Sequence, residues 1–194
     1  MPYPSSHREQ VKEKVVESAR RLFNRRGFNA VSIDDIMADA GLTRGSFYTY
    51  FDSKSELYAE SVSRIVCEKP VERADGVAID AKAPEVAAQI IRDYLSHRHF
   101  EDIDGGCPMI ALPSDVGRTD RRVREAFESA LRLMIDSFEQ GLHRKGQQVR
   151  SRALAISALC VGGMVLARSI ENRRLADELR EAAMATALSL GKWE

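Results

Sequence analysis

Very little in this sequence points to a secreted, membrane-inserted or polyanion-coating protein. Cysteine is scarce, and its three positions, Cys67, Cys107 and Cys160, are odd in number and far apart. That pattern argues against a disulfide framework and a zinc ribbon and makes free thiols the expectation. No apolar stretch lies among the residues up to His7, so no signal-peptide core is present and the expected location is the cytoplasm. The longest apolar run, Ala153 to Ala167, contains Ser157 and the Gly162-Gly163 pair and is bounded by Arg152 and Arg168. It falls short of the roughly 20 residues a bilayer requires, so we expect a buried helix and no membrane partner.

An excess of charge is missing as well. The 29 basic residues are matched by 29 acidic ones, giving a formal net charge of +0. A general polyanion-coating protein is thereby excluded, and any nucleic-acid contact has to be local. A nucleophile elbow, phosphate loop, dinucleotide fingerprint and zinc-protease helix are all lacking, so neither an enzyme nor a bound cofactor is expected. His97 and His99 lie near Asp102, Asp104 and Cys107, but their spacing matches no familiar metal site.

What the chain does have is helical periodicity, in a composition of 44% hydrophobic and 30% charged residues that suits a soluble globular protein. Val11, Val15, Ala19, Leu22 and Phe23 recur at helical spacing behind a Ser6/Glu9 capping box, predicting a basic first helix that Gly27 stops. Ser32 caps a short second helix carrying Ile33, Ile36, Met37 and Ala40, which Gly41 ends. A third helix runs from a Thr43 cap through Tyr50, and a fourth opens at Ser53 with Leu57, Val62, Ile65 and Val66 inward and closes at Pro70. Residues 69–83 read as a connection.

Pro84 then starts a helix with Val86, Ile90, Ile91 and Tyr94 on its apolar face. A loop is expected over Asp102 to Gly106, and a Pro113-interrupted helix over Met109 to Val116. A long amphipathic helix carries Val123, Phe127, Leu131, Met134, Phe138 and Leu142. The next, near Gln148 to Ile170, is apolar almost all round. The last shows Leu175, Leu179, Ala183, Thr186 and Leu190 on one face. The fold class is therefore all-α. Residues 1–52 are expected to form an amino-terminal domain and 53–194 a larger helical domain behind it.

Function is concentrated in Asp34 to Tyr50, DDIMADAGLTRGSFYTY, a short helix, a tight turn and a second short helix rich in polar and aromatic residues. A recognition helix enters the major groove amino end first, which assigns Thr43, Arg44 and Ser46 to base edges or phosphates. Arg44 is the candidate for bidentate reading of guanine, and Gly45 leaves room for close backbone approach. Tyr48, Thr49 and Tyr50 are expected to face outward while Phe47 and Phe51 enter the core. Ser32 and Lys54 are expected to grip the DNA backbone on either side.

The stretch from Gly27 to Leu57, GFNAVSIDDIMADAGLTRGSFYTYFDSKSEL, resembles the DNA-binding domain of the tetracycline-repressor (TetR) family of bacterial transcription regulators. Gly27, Phe28, Ser32, Ile36, Ala40, Gly41, Tyr48, Phe51, Ser53, Lys54 and Leu57 carry the likeness; Met37 departs from it, standing where the family more often has a small residue. The resemblance implies a homodimer built on the last two helices that binds double-stranded DNA at an inverted-repeat operator. It also implies a carboxy-terminal domain that takes up a small-molecule inducer. The all-round apolar eighth helix of this reading, with Ala158, Gly162, Gly163 and Ala167 permitting close approach, agrees with a dimer on separate grounds.

A Gly-Cys segment, Gly105 to Leu112, is similar to one found in a subset of that family. If Pro108 begins a helix, Cys107 caps it and the helix dipole favours a thiolate; the other reading is a small apolar residue in a pocket wall. Tyr94, Met109, Phe127, Met134 and Phe138 serve equally well as pocket lining or as core. Cys67 and Cys160, on apolar helical faces, are read as core. A thiol-based regulator acting through Cys107 and a helical scaffold that binds only protein are the alternatives to a ligand-released repressor.

Overall fold

The computed structural model describes residues 5–67, 84–111, 113–142 and 147–193, and among them every element is a helix. In chain order these are α1 (Ser5–Arg26), α2 (Ile33–Asp39), α3 (Arg44–Phe47), α4 (Lys54–Cys67), α5 (Pro84–Tyr94) and α6 (His97–Glu101). There follow α7 (Pro108–Ala111), α8 (Pro113–Val116), α9 (Arg121–Gly141), α10 (Gln147–Arg168) and α11 (Arg173–Gly191). Two compact units result. One takes Met1–Ile65 with Ile103–Ser129, the other Val66–Asp102 with Ala130–Glu194.

The amino-terminal unit is built largely on the stripe predicted for α1: Val15, Ala19, Leu22 and Phe23 are buried, Val11 is only half-buried, and Val16, which was not predicted, is buried beside them. Phe23 meets Phe28 and Tyr58 with ring centroids 5.5 and 5.3 Å away, and Phe28 meets Tyr58 at 5.2 Å, a tilted and two edge-on contacts of the kind aromatic quadrupoles favour. Ile36 and Met37 of α2, Ala40 just after it, and Leu57 and Val62 of α4 complete this core. Met37, the departure from the family pattern, is fully accommodated there. The predicted inward positions Ile65, Val66 and Cys67 have side chains outside the described residues, as does the connection over 69–83.

In the second unit α10 and α11 form the main packing. The buried face of α11 is Ala176, Arg180, Ala183 and Ala187, whereas Leu175 is 45% exposed and Thr186 lies outside. This corrects the leucine face predicted for the last helix. The reason is steric, because small residues let the two backbones approach: a Cβ on Gly163 of α10 would stand 2.7 Å from the Ala183 Cβ. By length and composition α10 is apolar enough to cross a membrane, longer than the run from Ala153 to Ala167 suggested. Yet Ala153, Ile156, Cys160, Met164 and Ala167 are fully buried inside the unit.

A short helix not anticipated from periodicity, α6, separates Tyr94 from the expected loop. Ser96 caps it by accepting a hydrogen bond from the His99 amide, and two arginines fasten it from other helices. Arg168 donates to the carbonyls of His99 and Asp102 at the end of α6. Arg180, only 5% exposed, donates to Leu95 O at 2.7 Å and pairs with Asp177, its guanidinium 5.1 Å from the Phe100 ring. Guanidinium groups placed at helix carboxy ends meet both the open carbonyls and the negative end of the dipole.

Gly163→Val should therefore cost about 1–3 kcal/mol of unfolding free energy through overpacking against Ala183 and Leu95. Urea denaturation checks this, and an unchanged midpoint would mean that α10 and α11 are not held at this separation.

Candidate nucleic-acid interface

The helix-turn-helix is defined by its two ends. Ser32 is the N-cap of α2 in a complete capping box: its hydroxyl accepts from the Asp35 amide at 3.1 Å, and the Asp35 carboxylate accepts from the Ser32 amide at 2.9 Å. The Ser32 hydroxyl also donates to the Asp35 carboxylate, and this bond, followed by the one from the Ser32 amide, holds the Asp35 carboxyl below its usual range. At the other end Gly41 has φ +68, with its amide bonded to Ala38 O and the Leu42 amide to Met37 O, the paired bonds of a Schellman motif. A side chain at Gly41 would strain this left-handed turn, which sets the direction in which α3 leaves.

Thr43 occupies the N-cap position of α3, but its hydroxyl makes no capping bond, and Ser46 Oγ donates instead to Thr43 O at 2.7 Å. The helix itself ends at Phe47 and does not continue to Tyr50 as predicted. Amide bonds from Thr49 to Ser46 O and from Tyr50 to Phe47 O tighten residues 48–50 into a turn. Phe47 is the anchor, completely buried and edge-on to Tyr48 at 5.3 Å. Tyr48 is 57% exposed, Thr49 is exposed and Tyr50 half-buried, and the space above Gly45 is open. Thr43, Arg44, Gly45 and Ser46 thus lie on one short segment whose only deeply buried neighbour is Phe47.

Two charges take positions that the sequence did not reveal. Arg44 donates from Nη1 to Asp34 Oδ2 at 2.6 Å, with both side chains mostly exposed. Lys54 directs its ammonium inward, donating to Phe28 O at 2.8 Å and Val31 O at 2.9 Å from above the Phe28 ring at 4.3 Å. Burial lowers its pKa. Where a phosphate contact was expected, the structure gives Lys54 the carbonyls of the turn that leads into α2. Arg8 was missed: it donates from α1 to Thr49 O at 3.0 Å, tying the start of the first helix to the turn after α3. Its basic helix was visible in the sequence, but the partner, 41 positions away, was not.

The remaining cations of α1 are largely matched by acids within the unit. Arg20 pairs with Glu17, Arg21 with Asp39 at 2.5 Å, Arg25 with Asp104, Arg26 with Asp35 at 4.0 Å, and Lys12 with Glu60 at 3.1 Å. The Arg25 guanidinium accordingly holds the Asp104 carboxyl below its usual range.

The candidate ligand residues fall in both units. Cys107, Met109 and Phe127 belong to the first, and Tyr94, Met134 and Phe138 to the second. Met109, Met134 and Phe138 are buried, and Phe127, Tyr94 and Cys107 half-buried. The segment ahead of Cys107 is clasped by α1: Asn24 donates to Gly106 O at 2.8 Å and Asp104 O at 3.3 Å, and Arg20 donates to Gly105 O at 3.3 Å. Tyr58 lies nearby with its phenol pushed well above its ordinary range by burial, with Cys107 and Asp115 adding to the effect. Cys160 is fully buried and its thiol is pushed up to about 12, as a core cysteine requires.

Residues 15–61 match the model of the family described as bacterial regulatory proteins, tetR family. Among curated relatives, the HTH-type transcriptional regulator LmrA of Bacillus subtilis is 24% identical over 178 residues, covering 83% of this chain and 88% of LmrA. An uncharacterized HTH-type transcriptional regulator of Lactococcus lactis is 26% identical over 119 residues, and the match spans 61% of either protein. IcaR of Staphylococcus aureus, the negative transcriptional regulator of the biofilm operon icaADBC, is 35% identical over 52 residues, 27% of this chain and 28% of IcaR. Of solved structures, E. coli NemR in its reduced form superposes with a TM-score of 0.72 at 19% identity, covering 93% of this chain and 96% of NemR. Bacillus subtilis FadR in complex with stearoyl-CoA gives a TM-score of 0.65 at 14% identity, covering 94% and 98%. These likenesses agree with an all-helical chain carrying an amino-terminal helix-turn-helix.

Lys54→Met should lower unfolding free energy by about 1–2 kcal/mol, since two carbonyls lose a charged donor that solvent only partly screens. Chemical denaturation of the variant tests it; full stability would mean that the ammonium does not brace the turn.

Proposed function

Since the chain belongs to the tetR family of bacterial regulatory proteins, we propose that it is a cytoplasmic, dimeric repressor that binds an inverted-repeat operator through α3 and is released by a small molecule. The observation that carries this reading is α3 itself: one buried anchor, Phe47, with Thr43, Arg44, Gly45 and Ser46 outside it at the amino end. That end is the one a recognition helix presents to base edges. Arg44 reads guanine, Thr43 and Ser46 reach base edges or phosphates, and the hydroxyls of Tyr48, Thr49 and Tyr50 reach phosphates. Ser32 and Lys54 flank this surface. A repressing role is favoured by the description of IcaR as a negative regulator.

A second copy of the chain is the natural cover for α10 and α11. Leu154 and Leu166 are 45% and 55% exposed, Leu175 is similarly open, and a Cβ on Gly162 would meet nothing within 4 Å. Two-fold pairing through these helices presents two copies of α3 to a two-fold operator. Ligand uptake is favoured by FadR, a fold neighbour solved with stearoyl-CoA. Tyr94, Met134 and Phe138 of the second unit are the side chains we assign to it. Nothing in this reading calls for catalysis. A scaffold that binds only protein is separated from it by a gel shift with the DNA upstream of its own coding sequence.

One observation favours a second trigger. Cys107 is half-buried and follows carbonyls to which Asn24 and Arg20 of α1 donate. Alkylation or oxidation of its thiol would add bulk against the helix that frames α2 and α3. With mild alkylation, operator release should follow modification of Cys107 and disappear in Cys107→Ser. A serine variant that still responds leaves reversible ligand binding as the trigger.

Footprinting should show an imperfect palindrome with half-sites on successive major-groove faces; protection of a single unsymmetrical half-site would contradict the dimer. Arg44→Ala should cost about 1–3 kcal/mol and relax preference at one base pair of each half-site. Tyr48→Phe should weaken binding while leaving the melting temperature unchanged, given the exposure of that ring.

A further inference from the structure

Resting on the assignment of Arg44 to base reading, we propose that Asp34 is a specificity-determining positioning residue: it orients the Arg44 guanidinium for guanine and masks its charge on every other sequence.

The geometry singles out Asp34 among the acids of α2. Asp35 is committed to the Ser32 capping box and lies 4.0 Å from Arg26, and Asp39 pairs with Arg21 at 2.5 Å. Both bonds act on the frame, closing the helix end or fixing α2 against α1. Asp34 alone of the three reaches across the Gly41 turn to the first residue of α3, ten positions on, at 2.6 Å. The pair is exposed, 61% at Arg44 and 56% at Asp34, so as a fold clamp it contributes little. Its position at the amino end of the recognition helix is where it has a consequence.

A guanidinium presents donors on a rigid planar fork. The bond to Asp34 uses Nη1, which leaves the edge formed by Nη2 and Nε for a two-acceptor partner. Guanine offers such a partner in O6 and N7. Without Asp34 the long arginine side chain must give up its rotamer freedom when it meets the base. With Asp34 much of that ordering has already occurred, and the plane of the fork is set. The carboxylate also acts where no guanine is present. There Arg44 stays on Asp34, the pair is neutral toward phosphates, and non-specific binding is deprived of one cation. Both effects widen the gap between operator and other DNA, which a chain of zero net charge has to create from local contacts.

The test uses full-length protein and a pool of randomised duplexes, with base preferences read by sequencing the bound fraction and affinity for a scrambled duplex measured beside it. Wild type should prefer guanine at one position of each half-site, and Arg44→Ala should flatten that position. Asp34→Asn should flatten the same position by about threefold to tenfold and raise affinity for the scrambled duplex severalfold, while adding nothing to Arg44→Ala in the double variant. Asp34→Glu keeps the charge and should leave affinity for the scrambled duplex at the wild-type value. Thermal melting guards against misfolding, and the Ser32 capping box is intact in each variant. If Arg44→Ala flattens the position and Asp34→Asn does not, the positioning role is wrong and base reading by Arg44 stands. If Arg44→Ala changes no preference, or wild type enriches no sequence, the underlying assignment fails and takes this proposal with it.

Discussion

Phe23 on α1, Phe28 in the turn after it and Tyr58 on α4 meet at ring separations of 5.2–5.5 Å, and the presentation of α3 depends on that contact. A recognition helix of four residues has too few internal hydrogen bonds to be stable alone, so its geometry must be imposed from outside. The three rings fix α1 to α4. Lys54 sits on the Phe28 ring and holds the carbonyls of Phe28 and Val31, which delivers the chain to the Ser32 cap at a defined angle. From there the capping box starts α2, the Schellman turn at Gly41 ends it, and Phe47 seats α3 in the same core. The caps are local and polar, the Lys54 and Phe47 contacts are not, and all of them build on one aromatic joint.

Electrical neutrality has the same logic. The amino-terminal stretch is rich in Arg and Lys, yet most of these cations are matched inside the unit, to Glu17, Asp39, Asp104, Asp35 and Glu60. A protein arranged in this way gains little from the sequence-independent attraction that dominates non-specific DNA binding. On the proposed reading it relies on a few directed contacts at α3, where geometry decides between sequences. The clasp of Arg20, Asn24 and Arg25 on residues 104–106 fits this picture too, because it brings a segment from the middle of the chain into the DNA-binding unit with hydrogen bonds and not with surplus charge.

The start and stop of α2 were legible because they depend on residues adjacent in sequence, Ser32 with Asp35 and Gly41 after Ala40, whereas the Ser96 cap of α6, of the same kind, was overlooked. The buried positions of α1, α2 and α4 were legible for the related reason that one apolar stripe at helical spacing has one way to face inward. Three things were hidden. The inward turn of Lys54 depends on carbonyls more than twenty residues away. The buried face of α11 was misread because leucine signals core in a periodicity argument, while the actual constraint was how closely α10 and α11 approach at Gly163 and Ala183. And α3 stops early since residues 48–50 satisfy their amides in a tight turn, a choice that propensity does not distinguish from a helix of one further turn.

A helix apolar on nearly every side, such as α10, has more than one surface to satisfy. One side of α10 is filled by Ala153, Ile156, Cys160 and Met164, all fully buried. Leu154 and Leu166 remain about half exposed, forgoing part of the roughly 1.5–3 kcal/mol that full burial of a leucine side chain contributes. A surface of this kind is maintained when something covers it. On the proposed reading that cover is the same helix of a second copy, and the open space at Gly162 lets the backbones come close. Self-pairing of one face about a two-fold axis is then the step that turns a single guanine contact per subunit into recognition of a palindrome: the axis fixes the spacing of the two α3 helices, and the spacing selects the operator.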